Sequence, residues 1–328
     1  MPDYLPEDCP PDPLLYNLPL PLERVYFPMG FPVNIATNSE AVLLASQEIW
    51  SLFRQRFPEA PAKVRFIVSE ESSNELPPAT LPRGQGNLLS IVHSADNFAV
   101  ADLARGFAFA WLTQAVVSDR GHFRYHFLEP LAYVMLGCLY LTPIHAACVA
   151  LNGIGVLLCG DSGAGKTSLA YACARRGWTL VADDASHLVR KGGDRTVLGR
   201  PHHIRFRESA KELFPELSAF PAARRANGKM DIEVRTADLN LDSTNCEVRA
   251  DYVVFLNRRA AGAAHLETYS RDDAAAWFEQ VLCVGEEYIR AAQRESLVTL
   301  LKVPVMKLSY GDPDGAERCL RSLVHGKS

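Results

Sequence analysis

The chain lacks a basic excess: 34 Lys and Arg stand against 38 Asp and Glu over 328 residues, a net charge of -4. Binding a nucleic-acid backbone needs clustered positive charge, so nucleic acid is excluded as a partner. Paired cysteine spacing is also missing. Cys9, Cys138, Cys148, Cys159, Cys173, Cys246, Cys283 and Cys319 stand singly, several inside apolar runs, and read as buried reduced thiols of a cytoplasmic protein. No signal-peptide pattern opens the chain, because residues 1–24 are rich in proline and acidic groups and predict an extended arm. The stretch "LAYVMLGCLYLTPIHAACVALNGIGVLL" is almost uncharged, yet Pro143, His145 and "NGIG" interrupt it, which predicts a buried core and no membrane span. There is no internal repeat.

What remains is an ordinary globular composition, 48% hydrophobic and 22% charged, at a length that predicts two domains after the arm. The first, residues 25–141, reads as a smaller α+β domain. "TNSEAVLLASQEIWSLFRQRFP" predicts a helix: Thr37 and Glu40 have capping-box spacing, Val42, Ala45, Ile49, Phe53 and Phe57 recur at helical intervals, and Pro58 ends it. "KVRFIVSE", "NLLSIVHS" and "NFAVADL" read as strands, and "FLEPLAYVMLGCLYL" as a helix.

In the second domain, residues 142–328, "HAACVAL" and "GVLLCG" predict two strands joined by the turn "NGIG". A helix from Lys166 to Arg176 stops at Gly177, and a strand follows at "TLVADD". Further strands are expected at "ASHLVR", "IEVRT", "ADYVVFLN" and "VPVMKLSY", then a helix from Pro313 to His325 capped by Asp312.

Gly160, Gly165, Lys166 and Thr167 satisfy G-x-x-x-x-G-K-[ST], with an apolar strand before the motif and a helix after it. Such a P-loop turns successive N–H groups inward as an anion nest at a helix N-terminus. Gly160, Asp161, Ser162, Gly163, Ala164, Gly165, Lys166, Thr167 and Ser168 are therefore the expected ATP-binding residues. Lys166 is expected at the β- and γ-phosphates, and the Thr167 hydroxyl on Mg2+. The next strand ends in Asp183 and Asp184, which suits one carboxylate for the metal, Asp183, and one to take a proton from an attacking hydroxyl, Asp184. The plain alternative is that "DDAS" only makes a turn. His145, taken alone, reads as a core histidine.

The continuous stretch "IHAACVALNGIGVLLCGDSGAGKTSLAYACARRGWTLVADD" resembles the catalytic core of the HPr kinase/phosphorylase family, including its "ADD" strand. The resemblance implies an α/β HPr-kinase-like P-loop domain that transfers phosphate to a serine hydroxyl. It also implies that Asp184 is the proton acceptor and His145 an active-site residue near the phosphates. Other members carry Glu-Ile/Val-Arg-Gly further on, where this chain has "GRPHHIRFRES".

In that stretch Arg205 and Arg207 share a strand face suited to phosphate or an acidic group, or simply form an exposed basic edge. His202 and His203 point to opposite faces and make a poor metal pair. In "ARRANGKMD" a basic turn offers Arg224, Arg225 or Lys229 to the γ-phosphate, Lys229 being the choice because "NG" presents it. The expected activity is an ATP- and Mg2+-dependent kinase acting on a serine-type hydroxyl of a protein, peptide or small molecule. The alternative is a nucleotide-gated binding protein or weak ATPase without transfer. A homo-oligomer is compatible with an arm free to wrap a neighbour.

Overall fold

The computed structural model describes residues 18–69, 75–192, 194–224, 230–242, 246–280, 282 and 285–326. Its first half is a seven-stranded sheet of β1 (Leu22–Tyr26), β2 (Val33–Thr37), β3 (Ala62–Ser69), β4 (Arg83–Gln85), β5 (Leu88–Ser94), β6 (Asn97–Asp102) and β7 (Phe107–Thr113). The spatial order is β1-β2-β3-β7-β6-β5-β4. β2, β3 and β7 run parallel, and the remaining pairs are antiparallel. Helices α1 (Glu40–Trp50), α2 (Gln114–Ser118), α3 (Arg120–Phe123) and α4 (Glu129–Leu139) supply the rest of this unit. Inward residues such as Val64, Phe66, Ile91, Ala99 and Ala110 meet Trp50, Phe123, Phe127 and Leu131 in one core. Leu141, Val189, Leu198 and Ile289 from the second half join that core, so the halves are packed together.

Two readings of this half change. Ser39 is the helix N-cap, and the Thr37 hydroxyl accepts from the Ser39 N–H at 3.1 Å, so the Thr37/Glu40 capping box does not form. Helix α1 stops at Trp50, short of Pro58. Phe53 is buried from the following segment, and Phe57 stacks on Phe31 at a centroid distance of 4.0 Å. The first strand begins at Leu22, inside the stretch read as an arm.

The second half adds β8 (Leu141–Ile144), β9 (Ala146–Leu151), β10 (Ile154–Cys159), β11 (Thr179–Ala182), β12 (Ser186–Val189) and β13 (Thr196–Leu198). β14 (His203–Arg207), β15 (Ala223–Arg224) and β16 (Met230–Arg235) form a separate small sheet in the order β14-β16-β15. Completing the main sheet are β17 (Glu247–Arg258), β18 (His265–Thr268) and β19 (Val305–Tyr310), which gives nine strands around β11-β9-β10-β17-β13-β12-β8. The long β17 pairs antiparallel with β13 near its start and parallel with β10 and β19 beyond it. Asn152 and Gly153, at φ 52° and 79°, close the β9–β10 hairpin as "NG" predicts. Helix α5 (Lys166–Ala174) follows the glycine-rich loop, α6 (Arg271–Glu279) and α7 (Glu287–Leu300) form a pair, and α8 (Pro313–His325) packs on α5. The Asp312 carboxylate caps α8 by accepting from the Gly315 N–H at 2.7 Å. The six described cysteines are free, four of them buried; Cys9 and Cys283 lie outside the described residues. No described helix is long and apolar enough to cross a membrane.

His93 of β5 packs against His122 and His126, with ring centroids 5.3 and 5.0 Å away. The Nε2 atoms of His93 and His126 are buried without a hydrogen-bond partner among the described residues. Burial, with the neighbouring imidazoles adding to it, lowers both side chains to about 4. The unfolded chain, with ordinary values near 6.5, binds protons between those limits that the folded chain refuses. Stability contributed by these neutral rings is thus full above pH 6.5 and falls as pH drops to 4. Thermal midpoints measured from pH 7 to 4 should fall less steeply for His93→Gln than for the unaltered chain; parallel curves would contradict this.

Candidate functional site

The site is built where parallel strands end. β10, β17 and β19 run the same way, so the loop after Cys159, Arg258 at the end of β17 and Tyr310 at the end of β19 meet at one edge of the sheet. In open α/β sheets this is the edge at which ligands bind. The loop turns through three left-handed glycines, Gly160, Gly163 and Gly165, at φ 148°, 94° and 95°. Gly165 admits no side chain: a Cβ there lies 2.4 Å from the Tyr310 hydroxyl, which itself donates to the Ala164 carbonyl at 3.0 Å. On the outer side the Trp277 indole donates to Asp161 Oδ1 at 3.1 Å, and Arg207 Nη2 donates to Ser162 Oγ at 2.8 Å.

Lys166, the first residue of α5, is buried at 5% exposure, and its ammonium is held in place. It donates to the Gly160 carbonyl at 2.8 Å and the Asp161 carbonyl at 3.3 Å, and lies 3.0 Å from His145 Nε2 and 3.8 Å from Asp184 Oδ1. Burial lowers the Lys166 ammonium from its ordinary value, and the charges of Asp184 and Asp161 oppose that shift. His145 Nδ1 faces Asp184 Oδ1 at 3.4 Å. Since an ammonium only donates, Nε2 accepts and the ring proton resides on Nδ1, toward the carboxylate.

β11 returns antiparallel beside β9 and delivers the aspartate pair next to the loop. The Asp183 carboxyl is raised to about 6 by burial; its Oδ2 accepts from the Arg205 N–H at 2.9 Å, which pulls the other way. The Thr167 hydroxyl points at the Asp183 carbonyl, 3.5 Å away. Asp184 is half-exposed.

These groups face a cleft of about 530 Å³. Ser162, Gly163, Gly165, Lys166, Thr167 and Ser168 form one wall, with Asp183, Asp184 and His145 beside them. The other wall comes from the first half of the chain, through Ile49, Leu52, Phe53 and Tyr125. A buried ionic network ties the two walls together. Glu129 accepts from Arg200 at 2.6 Å and from Arg124, while the Arg200 guanidinium lies 4.4 Å over the Tyr133 ring. Burial alone would raise the Glu129 carboxyl, but Arg200 and Arg124 outweigh it and hold it below the ordinary range.

The structure thus brings together His145, the loop with Lys166 and Thr167, Asp183 and Asp184, and adds Arg205 and Arg207. Lys229 and Arg225 lie outside the described residues. Arg258, Trp277 and Tyr310 were missed in the sequence. Arg258 and Tyr310 end strands parallel to β10, a position that a correct sheet order would have flagged; Trp277 carries no sequence signal.

Residues 140–207 match the family model described as the HPr Serine kinase C-terminal domain. The HPr kinase/phosphorylase of Chlorobium chlorochromatii is 45% identical over 60 residues, 18% of this chain and 18% of that protein. That of Burkholderia lata is 49% identical over 51 residues, 16% of each. The chain therefore spans about a fifth of the length of the curated relatives it matches. A solved HPr(Ser) kinase/phosphatase from Coxiella burnetii aligns over 56% of this chain and 97% of its own, at 14% identity and a TM-score of 0.32, which carries no argument about architecture. Over the matched segment the chain is HPr-kinase-like.

The close contact at Gly165 yields a direct test. Gly165→Ala forces both a strained φ and a collision with the Tyr310 hydroxyl, and should cost about 1–3 kcal/mol in denaturant unfolding. Adding Tyr310→Phe should recover part of that loss by freeing space; no recovery would show that the contact is unimportant.

Proposed function

We propose that the protein is an ATP- and Mg2+-dependent kinase that transfers the γ-phosphate to a serine-type hydroxyl. The observation that carries this reading is the convergence of the buried Lys166 ammonium, His145 and the Asp184 carboxylate beside a glycine-rich loop at a helix N-terminus. The backbone N–H groups of 160–167 suit the phosphate oxygens of ATP, and Lys166 suits the β- and γ-phosphates. The likeness of residues 140–207 to HPr kinases supports the same assignment.

The oxygen donors fit a hard cation. Among the described residues no three His, Cys, Asp or Glu side chains form a metal cage. Mg2+, however, is usually held by one or two carboxylates together with substrate phosphates and waters. Asp183 and the Thr167 hydroxyl are the groups that would hold it here. Bound Mg2+ would neutralise charge on the phosphates during transfer.

The chemistry of the chain's own residues follows from their positions. The acceptor oxygen attacks the γ-phosphorus as the bond to the β-phosphate oxygen breaks, and the hydroxyl proton passes to Asp184. His145, with its proton on Nδ1, orients Asp184 and fixes Lys166. Arg207, beside Ser162, and Arg258, beside Gly165, are the cations suited to offset charge developing on the transferred group.

Transfer of labelled γ-phosphate into free serine, serine peptides and HPr tests the proposal. Asp184→Asn should retain nucleotide affinity and lose about 10²–10⁴-fold in transfer rate, the range of a general base. Lys166→Ala should lose both. Nucleotide binding with every acceptor unlabelled would favour a nucleotide-gated binding protein instead.

A further inference from the structure

β14 is an edge strand: among the described residues it pairs in its sheet with β16 alone. The alternation of an antiparallel ladder fixes which backbone groups that pairing uses. The His202 carbonyl accepts from the Thr236 N–H at 3.0 Å, so residues 202, 204 and 206 turn toward β16. His203, Arg205 and Arg207 turn their backbone groups the other way, and the Arg205 N–H, bonded to the Asp183 carboxylate, shows where that way leads. The open edge faces the catalytic aspartates. His203, Arg205, Phe206 and Arg207 all line the cleft. Open edges bind other strands unless something blocks them; β14 has no proline and no bulge, and its one edge group already engaged among the described residues is the Arg205 N–H, held by Asp183.

Asp183 takes the Arg205 N–H, and Arg207 leads directly into a 3₁₀ turn, Glu208–Glu212, which claims its carbonyl as a helix-capping residue normally does. Among the described residues the Arg205 carbonyl and the Arg207 N–H are left as an adjacent acceptor and donor. Their spacing is the one by which a strand holds a single residue of a neighbouring extended segment through both its N–H and its C=O. Across the cleft, Leu52 is exposed at 63%, an apolar side chain on the rim.

We propose that β14 is the docking strand for the phosphate acceptor. The acceptor enters as an extended peptide segment, with one residue next to its serine clamped between the Arg205 carbonyl and the Arg207 N–H, and an apolar neighbour resting on Leu52. Strand addition of this kind takes affinity from main-chain hydrogen bonds and selectivity from side-chain pockets. It brings the serine hydroxyl alongside Asp184 without a prior fold in the acceptor. The inference rests on the kinase reading above and specifies its substrate as an unfolded or terminal stretch of chain.

The backbone geometry permits a clean test. Arg207 sits at φ -70° and ψ 153°, which proline adopts unstrained, and Phe206 before it is in a strand. Arg207→Pro removes the side chain and the N–H, whereas Arg207→Ala removes the side chain alone. The probe is a library of octapeptides with a fixed serine and randomised flanks, labelled from ATP at saturating nucleotide. Arg207→Pro should show an acceptor KM about tenfold above that of Arg207→Ala, the upper range for one hydrogen bond, with equal nucleotide affinity. Equal KM values would overturn the docking strand and leave the kinase reading intact. If Arg207→Pro fails to fold, ester analogues of the best peptide decide on the unaltered protein. Replacing one backbone N–H next to the serine by oxygen should raise KM by a similar factor at one position; an unchanged KM at every position overturns the proposal. Labelling of free serine with no peptide labelled also overturns it, and labelling of nothing at all removes the kinase reading itself.

Discussion

A lysine ammonium held out of water is the constraint around which the second half of this chain is arranged. Burying Lys166 is unfavourable unless its three protons find acceptors, and it finds them in the Gly160 and Asp161 carbonyls and His145, with Asp184 close enough to balance the charge. The acceptors and the counter-charge come from three pieces of sequence. Gly160 and Asp161 follow β10, His145 lies between β8 and β9, and Asp184 follows β11. Meeting these requirements fixes the β11-β9-β10 order as firmly as the packing of their apolar faces. The left-handed glycines let the carbonyls turn inward, and Tyr310 braces the loop from behind.

A second constraint is ionic. Glu129 of α4 lies between Arg124 and Arg200, with Arg200 stacked on Tyr133, so removing its carboxylate would take from two partly buried guanidiniums their shared counter-charge. The network locks the first half of the chain against the strand region that leads into β14. One cleft therefore has a wall from the glycine-rich loop of the second half and an apolar rim from the first. The first half, through α1, the segment after it and the residues around α4, forms part of the site as well as a neighbouring domain.

The legible features of the sequence were those encoded within a few residues. The "NG" turn, the G-x-x-x-x-G-K-T loop, Gly177 after α5 and the Asp312 cap each specify local geometry, and the structure has them where expected. Features set by long-range pairing were not legible. In β7 both faces are apolar, Ala108, Ala110 and Leu112 inward and Phe107, Phe109 and Trp111 outward, so no alternation marked it as a strand. Phe53 and Phe57 fell by chance on the helical period of α1, though a separate segment places them. Arg258 and Trp277, about a hundred residues from the loop, join it only through the sheet and the α6 contact. The open edge of β14 follows from its neighbours, which no single strand sequence declares.

We take the Lys166 constellation as a site for the phosphates of a nucleotide, and a calorimetric titration of ATP into the unaltered protein, with and without Mg2+, is the sharpest test. Saturable one-site binding is expected, tightening with Mg2+ and weakening about a hundredfold or more in Lys166→Ala, as loss of a buried charge-assisted contact requires. Absence of binding, or binding indifferent to Lys166→Ala, would contradict it.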